Sequence, residues 1–533
     1  MESISNPVHF PNEILFYIGL YLKRPYLTRC VLVCRAWRTA MRPLIWSDIT
    51  FRGNTPVADT IRECPHWIRS VTLDQVSSLD QLGALKACSR LESLSMDDIV
   101  PIDYQTVVRT NRLRHLWLYR SAIPREASQS GRPWCPFPIL ANTSNHPSVL
   151  TSLRLDDYRL INQFTNSFWK ICTNLEVLEL RNVVIERDQI IQTNPTFPKL
   201  QELALIECPF DASTQLMRII GRAPRLRKLT WHSWNGSKSQ VNGFISLFKE
   251  KRRDEQVPGS NADGNSLQQD ICESPYWPDL ESISILHSNA RISIEQYLII
   301  VENTAHLRKI DVILTEFSLS AFNILTQRHS QTLREIDWQE LGAKNVPQWI
   351  QIVLSTCPML THVVCQVMLA RNVIEEGHRW VCRDRLQELR TCIDLDPKKF
   401  NLQEASVSEN VLRHRSRAVY NQLSGLRALC VLDLRHPRSR SGSNFRLFGI
   451  QPLTASLTMG MDELSQLRCL EQFSFYGVLD LTKEDVRWMI EHWPFLKLVH
   501  GGHYGITNHG YPWSTELRRI LNDSGIQAEV SWH

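Results

Sequence analysis

Three short runs set the fold: Leu150–Leu155 (LTSLRL), Leu175–Leu180 (LEVLEL) and Leu200–Leu205 (LQELAL). Each reads Leu-x-x-Leu-x-Leu, and each starts 25 residues after the one before. Within a run the last two leucines flank one residue, Arg154, Glu179 or Ala204, which is the period of two expected for a strand with one buried face. The same unit continues upstream as Ile68-x-x-Val71-x-Leu73, Leu91-x-x-Leu94-x-Met96 and Leu113-x-x-Leu116-x-Leu118. Downstream it recurs from Leu226, Leu280, Leu307, Leu333, Leu360, Leu386 and Leu429 to Leu470-x-x-Phe473-x-Phe475.

Three apolar residues at fixed offsets arise on the order of fifteen times by chance in a chain this apolar, so the register carries the argument. Between the middle apolar residues, nine of thirteen intervals fall between 22 and 27 residues. Several units share a lead-in: Phe197-Pro198-Lys199-Leu200, Ala223-Pro224-Arg225-Leu226, Trp277-Pro278-Asp279-Leu280 and Cys357-Pro358-Met359-Leu360. Proline there stops a preceding helix and the leucine leads into a strand. The intervening segments read as helices, around Leu216, Ile219 and Ile220, around Tyr297, Leu298 and Val301, and around Val486, Met489 and Ile490. Thr482-Lys-Glu-Asp485 reads as the capping box of the last of these. A strand and a helix about every 25 residues make a leucine-rich-repeat solenoid, in which no unit buries its face alone. The class is α/β, with parallel strands on the concave side of a horseshoe and helices on the convex side.

That register places the residues between and just after the leucines on the concave face. The candidates for holding a partner are His115, Trp117, Tyr119, Arg154, Glu179, Arg181, Lys228, His232, Asp311, Asp337, Arg390 and Tyr476. Mixed signs with aromatics suit a protein or peptide better than a polyanion. Insertions interrupt the array near 121–146, 235–275, 397–421 and 437–460; the second holds KEKRRDE (249–255) and then PGSNADGNS, a composition that favours disorder. The arginines of 413–417 and 435–440 lie in the last two; they read as solvated loops or as forks for a phosphorylated partner. The array is expected to span 51–500, with a C-terminal cap at 501–533.

Residues 1–50 read differently. In FPNEILFYIGLYLKRPYLTRCVLVCRAWRTAMRPLIW (10–46), Ile14, Leu15, Ile18 and Leu22 mark a first helix. Leu27, Cys30, Val31 and Val33 mark a second, and Trp37, Met41 and Ile45 a third. This is more apolar surface than three short helices can bury among themselves, which predicts an obligate partner. The stretch resembles the F-box family, from Pro11-x-Glu13-Ile14 through Ile18, Leu22, Leu27, Cys30, Val33-Cys34, Trp37 and Pro43 to Trp46. Phe10 replaces the usual leucine, and Pro25 stands where a polar residue is common. The resemblance implies docking on a Skp-type adaptor, and through it a cullin–RING ubiquitin ligase, by way of Pro11, Ile14, Leu15, Ile18, Leu22, Leu27, Val33, Trp37, Pro43 and Trp46. The irregular repeats resemble those of F-box/leucine-rich-repeat proteins, with the Trp493-Pro-x-Leu496 ending of fungal ones. The implied roles are a substrate receptor, or a scaffold that uses the F-box for assembly without turnover.

Composition agrees with a folded chain: 533 residues, 43% hydrophobic, 22% charged, net charge +5. So small an excess of base gives little pull toward nucleic acid or an anionic membrane. MESISNPVHFPNEIL holds no basic segment followed by an apolar run, so the expectation is an intracellular chain whose fourteen cysteines are reduced and mostly buried. Residues 345–370 carry no charge, but Gln348, Gln351, Pro358 and Gln366 favour a helix, a turn and a buried strand over a membrane span. No nucleotide loop, nucleophile elbow or zinc-type pairing is present, so neither catalysis nor a cofactor is expected. His500, His503 and His509 fit no familiar metal spacing, and Cys30 and Cys34 are expected as packing thiols.

Overall fold

In the computed structural model the described residues are 10–52, 57–74, 84–85, 87–97, 112–119, 149–160, 162–185, 196–208, 220–233, 241–243, 245–246, 277–287, 292–312, 319–338, 346–374, 379–395, 409–435, 452–476, 481–503 and 515–532. Two compact units divide at Leu226 and Arg227.

The first unit opens with three helices, α1 (Asn12–Leu20), α2 (Arg24–Cys30) and α3 (Arg35–Ser47). Two of the prolines that interrupt the sequence start helices. Pro11 is the N-cap of α1, and Pro25 sits in the first turn of α2, where its missing N–H would have had no partner. Pro43 lies inside α3, which nevertheless runs on to Ser47. The module's core is Leu15, Leu27, Ala40 and Met41, with Leu22, Cys30, Val31, Ala36, Trp37, Leu44 and Ile45 packed around it. Gly19 lets α1 approach α3: a Cβ there would come within 2.5 Å of the Met41 sulfur and 2.4 Å of a Leu44 methyl.

Strand β1 (Asp48–Arg52) begins at the residue after α3. Six more strands follow in a parallel ladder in chain order: β2 (Ser70–Asp74), β3 (Ser93–Asp97), β4 (His115–Tyr119), β5 (Ser152–Asp156), β7 (Val177–Arg181) and β9 (Glu202–Ile206). The two-residue strands β6 (Arg159–Leu160) and β8 (Val184–Ile185) pair separately. The repeat is visible in the backbone. Asp157, Asn182 and Glu207, spaced by 25, all have positive φ (59°, 47° and 59°) at the end of their strands. Non-glycine residues rarely adopt that conformation, so its recurrence marks one turn geometry used three times.

Among the described residues the second unit carries ten strands: β10 (Lys228–Ser233), β11 (Ser282–His287), β12 (Lys309–Val312), β13 (Glu335–Trp338), β14 (His362–Leu369), β15 (Glu388–Asp394), β16 (Val431–Asp433), β17 (Gln472–Tyr476), β18 (Leu498–His503) and β19 (Gln527–Trp532). Each pairs parallel with the next. The backbone bonding is stereotyped, because the carbonyl before each strand accepts two N–H groups from the next repeat. Arg308 O takes Arg334 and Glu335, Arg334 O takes Thr361 and His362, and Glu471 O takes Lys497 and Leu498. Helices Ile294–Glu302, Leu319–His329, Val346–Thr356, Glu409–Ser424 and Lys483–His492 fill the intervals.

Packing explains the sequence pattern. The fourteen quoted units place three residues each at the apolar positions, and every one is at most 5% exposed. Burial of each large side chain contributes about 1.5–3 kcal/mol. The lead-in proline occupies the second position of a tight turn, a place its fixed φ suits. The leucine N–H two residues later closes on the carbonyl before the proline: Leu200 on Phe197, Leu280 on Trp277, Leu360 on Cys357 and Leu496 on Trp493. The residue before the proline is itself buried, and the Trp493 indole N–H donates to Leu464 O at 3.1 Å.

Several expectations acquire detail here. The capping box at Thr482 and Asp485 is present. Residues 345–370 contain the helix Val346–Thr356 and the strand β14, and no described helix is long and apolar enough to cross a membrane. The Arg413–Arg417 stretch, expected in a loop, lies on the helix Glu409–Ser424 instead. The ladder also runs past residue 500, through β18 and β19 with the helix Thr515–Asp523 between them. Insertions 121–146 and 235–275, apart from 241–243 and 245–246, fall outside the described residues, as do 396–408 and 436–451.

Candidate functional site

Two surfaces present chemistry, and both can be built from the elements just described. The first is on the helical module. Nine of the thirteen exposed large apolar side chains among the described residues fall between 10 and 33: Phe10, Ile14, Tyr17, Ile18, Leu20, Tyr21, Tyr26, Leu32 and Val33. Helix α1 (NEILFYIGL) is apolar on nearly every side, yet only its Leu15 and Gly19 are buried, so most of the remaining side chains face water.

The structure therefore divides the expected docking set. Pro11, Ile14, Ile18 and Val33 are exposed. Leu22, Trp37, Pro43 and Trp46 are half-buried. Leu15 and Leu27 are 2% and 7% exposed inside the module's own core. Cys30 is half-buried as a packing thiol should be, but Cys34 is exposed. Tyr17, Leu20, Tyr21, Tyr26 and Leu32 extend the surface beyond the expected set.

The second surface is the water-facing side of the strands. The alternation holds in β2, β4, β5, β7, β9 and β10, where buried residues flank partly exposed ones. In the first unit it brings together Trp117, Arg154, Asp156, Glu179 and Arg181 from three consecutive ladder strands. The Arg154 guanidinium lies over the Trp117 ring, 4.0 Å from its centroid, a cation–π contact. Its nitrogens sit 3.4 Å from Asp156 and 3.6 Å from Glu179. Arg181 Nε is 2.5 Å from Glu179 and 3.8 Å from Asp156. The Trp117 indole N–H donates to Asp156 at 3.0 Å, and the Tyr119 hydroxyl reaches across β3 to donate to Leu73 O at 2.8 Å. These side chains hold one another in place. Beside them, over β1 to β4, lies an open cavity of about 410 Å³.

In the second unit, His232 Nε2 sits 2.8 Å from Ser284 Oγ, and Ser284 donates to Asp311 at 2.8 Å. Serine, histidine and a carboxylate in contact suggest a nucleophile, but the order is wrong. The Ser284 proton goes to the carboxylate, not to the imidazole, and Ser284 is only 6% exposed. The chain ties three neighbouring strands together. Further along the ladder, Lys309 pairs with Glu335 at 2.6 Å, Arg390 with Glu388, and Arg435 clamps Asp433 at 2.7 and 2.9 Å. His115 and Lys228 are exposed and Asp337 is half-buried. Tyr476 ends β17, and its side chain lies outside the described residues.

The arginines of 413–417 face partners within the fold. Arg413 pairs with Glu409, Arg415 donates to Leu395 O, and Arg417 bridges Asp462 and Glu463 at 3.0 Å each. Those contacts leave less of the guanidinium chemistry for a phosphate. His500 lies on β18, 3.6 Å from Glu529, and His509 falls outside the described residues. Among the described residues no three His, Cys, Asp or Glu come together as a metal site. Eight of the twelve described cysteines are buried, and burial pushes up the thiols of Cys88, Cys172, Cys208, Cys357, Cys365, Cys382 and Cys392, to about 11 at Cys357 and about 12 at Cys365. Such thiols are held protonated and unreactive. The Cys208 thiol, three residues past Leu205, donates to Leu180 O at 3.3 Å.

Comparison with known proteins bears on the first surface. Residues 8–52 match the F-box-like family, so the chain carries an F-box-like domain at its N-terminus. No curated protein matches the chain. Among solved structures, an internalin from Listeria monocytogenes is similar at 14% identity and TM-score 0.32, over 66% of this chain and 91% of that one. The complex of Rad7 and Elc1 from yeast is similar at 11% identity and TM-score 0.34, over 95% of this chain and 92% of that one. Scores this low carry no weight for function.

Proposed function

We propose that this chain is the substrate-recognition subunit of a Skp–cullin–F-box ubiquitin ligase inside the cell. Its helical module docks on a Skp-type adaptor, and its repeat array holds a protein substrate. The observation that carries the reading is the concentration of exposed apolar side chains at 10–33, within the stretch that matches the F-box-like family. A free module would keep that surface in water at a cost, whereas an adaptor would cover it. The array contributes a long row of side chains already locked in position, so a partner need not order them on binding.

The chain itself performs no bond chemistry in this scheme. Its contribution is proximity: a substrate lysine held near a charged ubiquitin-conjugating enzyme reacts as though present at high local concentration. Helix α3 leads straight into β1, and the Arg69 N–H donates to Ser47 O at 2.9 Å across the junction. The Arg42 guanidinium adds a second tie, 5.2 Å from the Trp67 ring centroid. A rigid junction suits a subunit whose task is to hold one protein at a set distance from another.

The test is co-purification of the full chain with a Skp-type adaptor, followed by assembly with the cullin–RING core. Stable co-elution and transfer of ubiquitin to a captured protein are expected. Failure to bind the adaptor overturns the reading.

A further inference from the structure

We propose that the cavity over β1 to β4 receives the guanidinium or ammonium side chain of an extended segment of the bound protein. The proposal rests on the reading that the array holds a protein, and it names the chemistry of that contact. The floor comes from the middle row of the ladder, where Thr50, Thr72, Ser95 and Trp117 stand side by side in register. Three of these carry hydroxyls, so the floor is short and polar where the next two strands of the row carry Arg154 and Glu179. Its volume, about 410 Å³, lies in the usual range of about 300–1,000 Å³ for ligand pockets.

Four features select a cation. Charge comes first: Asp74, Asp156 and Asp157 line the cavity with Arg52, and although Asp156 already pairs with Arg154 and Arg181, Asp74 and Asp157 leave a local excess of negative charge on a chain whose net charge is +5. Second, Asp74 is held only loosely, with its carboxylate 3.9 Å from Arg52 Nε and both side chains well exposed, so a better-placed cation can displace that contact. Third, Trp117 and Tyr119 wall the cavity with their centroids 5.7 Å apart, and each is anchored through its polar atom. Arg154 already covers one face of Trp117, and the anchored Tyr119 ring can receive a second flat guanidinium at little entropic cost. Fourth, Ser95 is 7% exposed, and its hydroxyl has no hydrogen-bond partner among the described residues. A buried hydroxyl left unpaired is costly, and an N–H donor entering the cavity would satisfy it. Acidic or phosphorylated side chains meet like charge here, and an aliphatic one leaves the hydroxyl and carboxylates unpaired.

The test selects displayed random dodecapeptides on the full chain, then measures the winners against Asp74→Asn/Asp157→Asn and against Ser95→Ala. Asparagine tolerates the positive φ at 157 and matches aspartate in size, and Ser95→Ala removes one hydroxyl, so each variant is checked for native thermal unfolding. Arginine or lysine at one fixed position is expected, with at least tenfold weaker binding when it becomes glutamine. The double variant should lose about tenfold and Ser95→Ala several-fold. Enrichment of acidic or apolar side chains, or equal binding by a natively folded double variant, overturns the proposal. Adaptor co-elution, scored on the same preparations, separates the two claims. Cation-selective capture without adaptor binding would sink the ligase reading alone, and adaptor binding without cation selectivity would sink the pocket alone.

Discussion

Leu32 and Leu15 are the same residue type seventeen positions apart, and the structure assigns them opposite duties. Leu32 is 78% exposed in the turn after α2, while Leu15 is 2% exposed in the module's core. Full burial of a leucine contributes about 1.5–3 kcal/mol. If an adaptor covers the exposed share of Leu32, its removal forfeits about 1.2–2.3 kcal/mol, or roughly 7- to 45-fold in affinity at about 1.4 kcal/mol per tenfold. Leu32→Asp exceeds that estimate, because it also asks a carboxylate to leave water. Its effect on folding should stay within about 0.5 kcal/mol, since the position touches no buried partner. Leu15→Ala opens a cavity against Leu27, Ala40 and Met41 and should cost about 2–5 kcal/mol of stability. Titration calorimetry against a purified Skp-type adaptor, paired with thermal unfolding, separates the two. Leu32→Asp is expected to melt as the native chain and bind at least tenfold more weakly, while Leu15→Ala melts early. Binding within twofold of native by a fully folded Leu32→Asp chain would refute the assignment of that surface.

Three further outcomes follow from the same structure. Native-state alkylation at neutral pH should label Cys34 and Cys469 and spare the buried Cys64, Cys88, Cys172, Cys208, Cys357, Cys365, Cys382 and Cys392, as mass spectrometry of digested protein would show; early labelling of Cys365 would contradict its burial. Ser284→Ala removes the hydroxyl shared by His232 and Asp311 and should destabilise the second unit by about 1–3 kcal/mol, read in denaturant unfolding; an unchanged transition would show that the chain of bonds contributes nothing. Inserting a flexible six-residue Gly-Ser segment between Ser47 and Asp48 should leave adaptor affinity unchanged but slow ubiquitin transfer in the reconstituted ligase, and transfer at the native rate would show that the rigid junction is dispensable.

Much of the array was legible because a strand with one buried face writes its period into the chain. The Leu-x-x-Leu-x-Leu positions are the places where the ladder has no room for water, so the pattern and the burial are the same fact seen twice. The pattern falls silent where a repeat substitutes small residues. β18 has Gly501 and β19 has Ala528 at positions that elsewhere hold leucine, so both strands escaped the pattern. The helical module failed in a different way. A helix that is apolar all round carries no moment to say which side is inside, so Leu15 and Ile14 look alike until α3 is placed against Gly19. Longer-range chemistry was less legible still. Nothing local says that Arg154 lies over Trp117, or that Ser95 lacks a partner among the described residues, because each depends on which strand lies beside which.

The junction between module and array shows why those two kinds of information belong together. Trp46-x-x-Ile49-x-Phe51 is itself a repeat unit, with Ile49 and Phe51 each 4% exposed, so the residue that closes the resemblance to an F-box also opens the ladder. Consequently β1 serves both surfaces. Its first residue follows directly on α3, and its Thr50 and Arg52 line the cavity. A motion of α3 relative to the array would have to break the Arg69–Ser47 hydrogen bond and move Thr50 and Arg52 with it. The helical module and the cavity are thus joined through β1 by continuous backbone, so a break at this junction should loosen one from the other before it unfolds either.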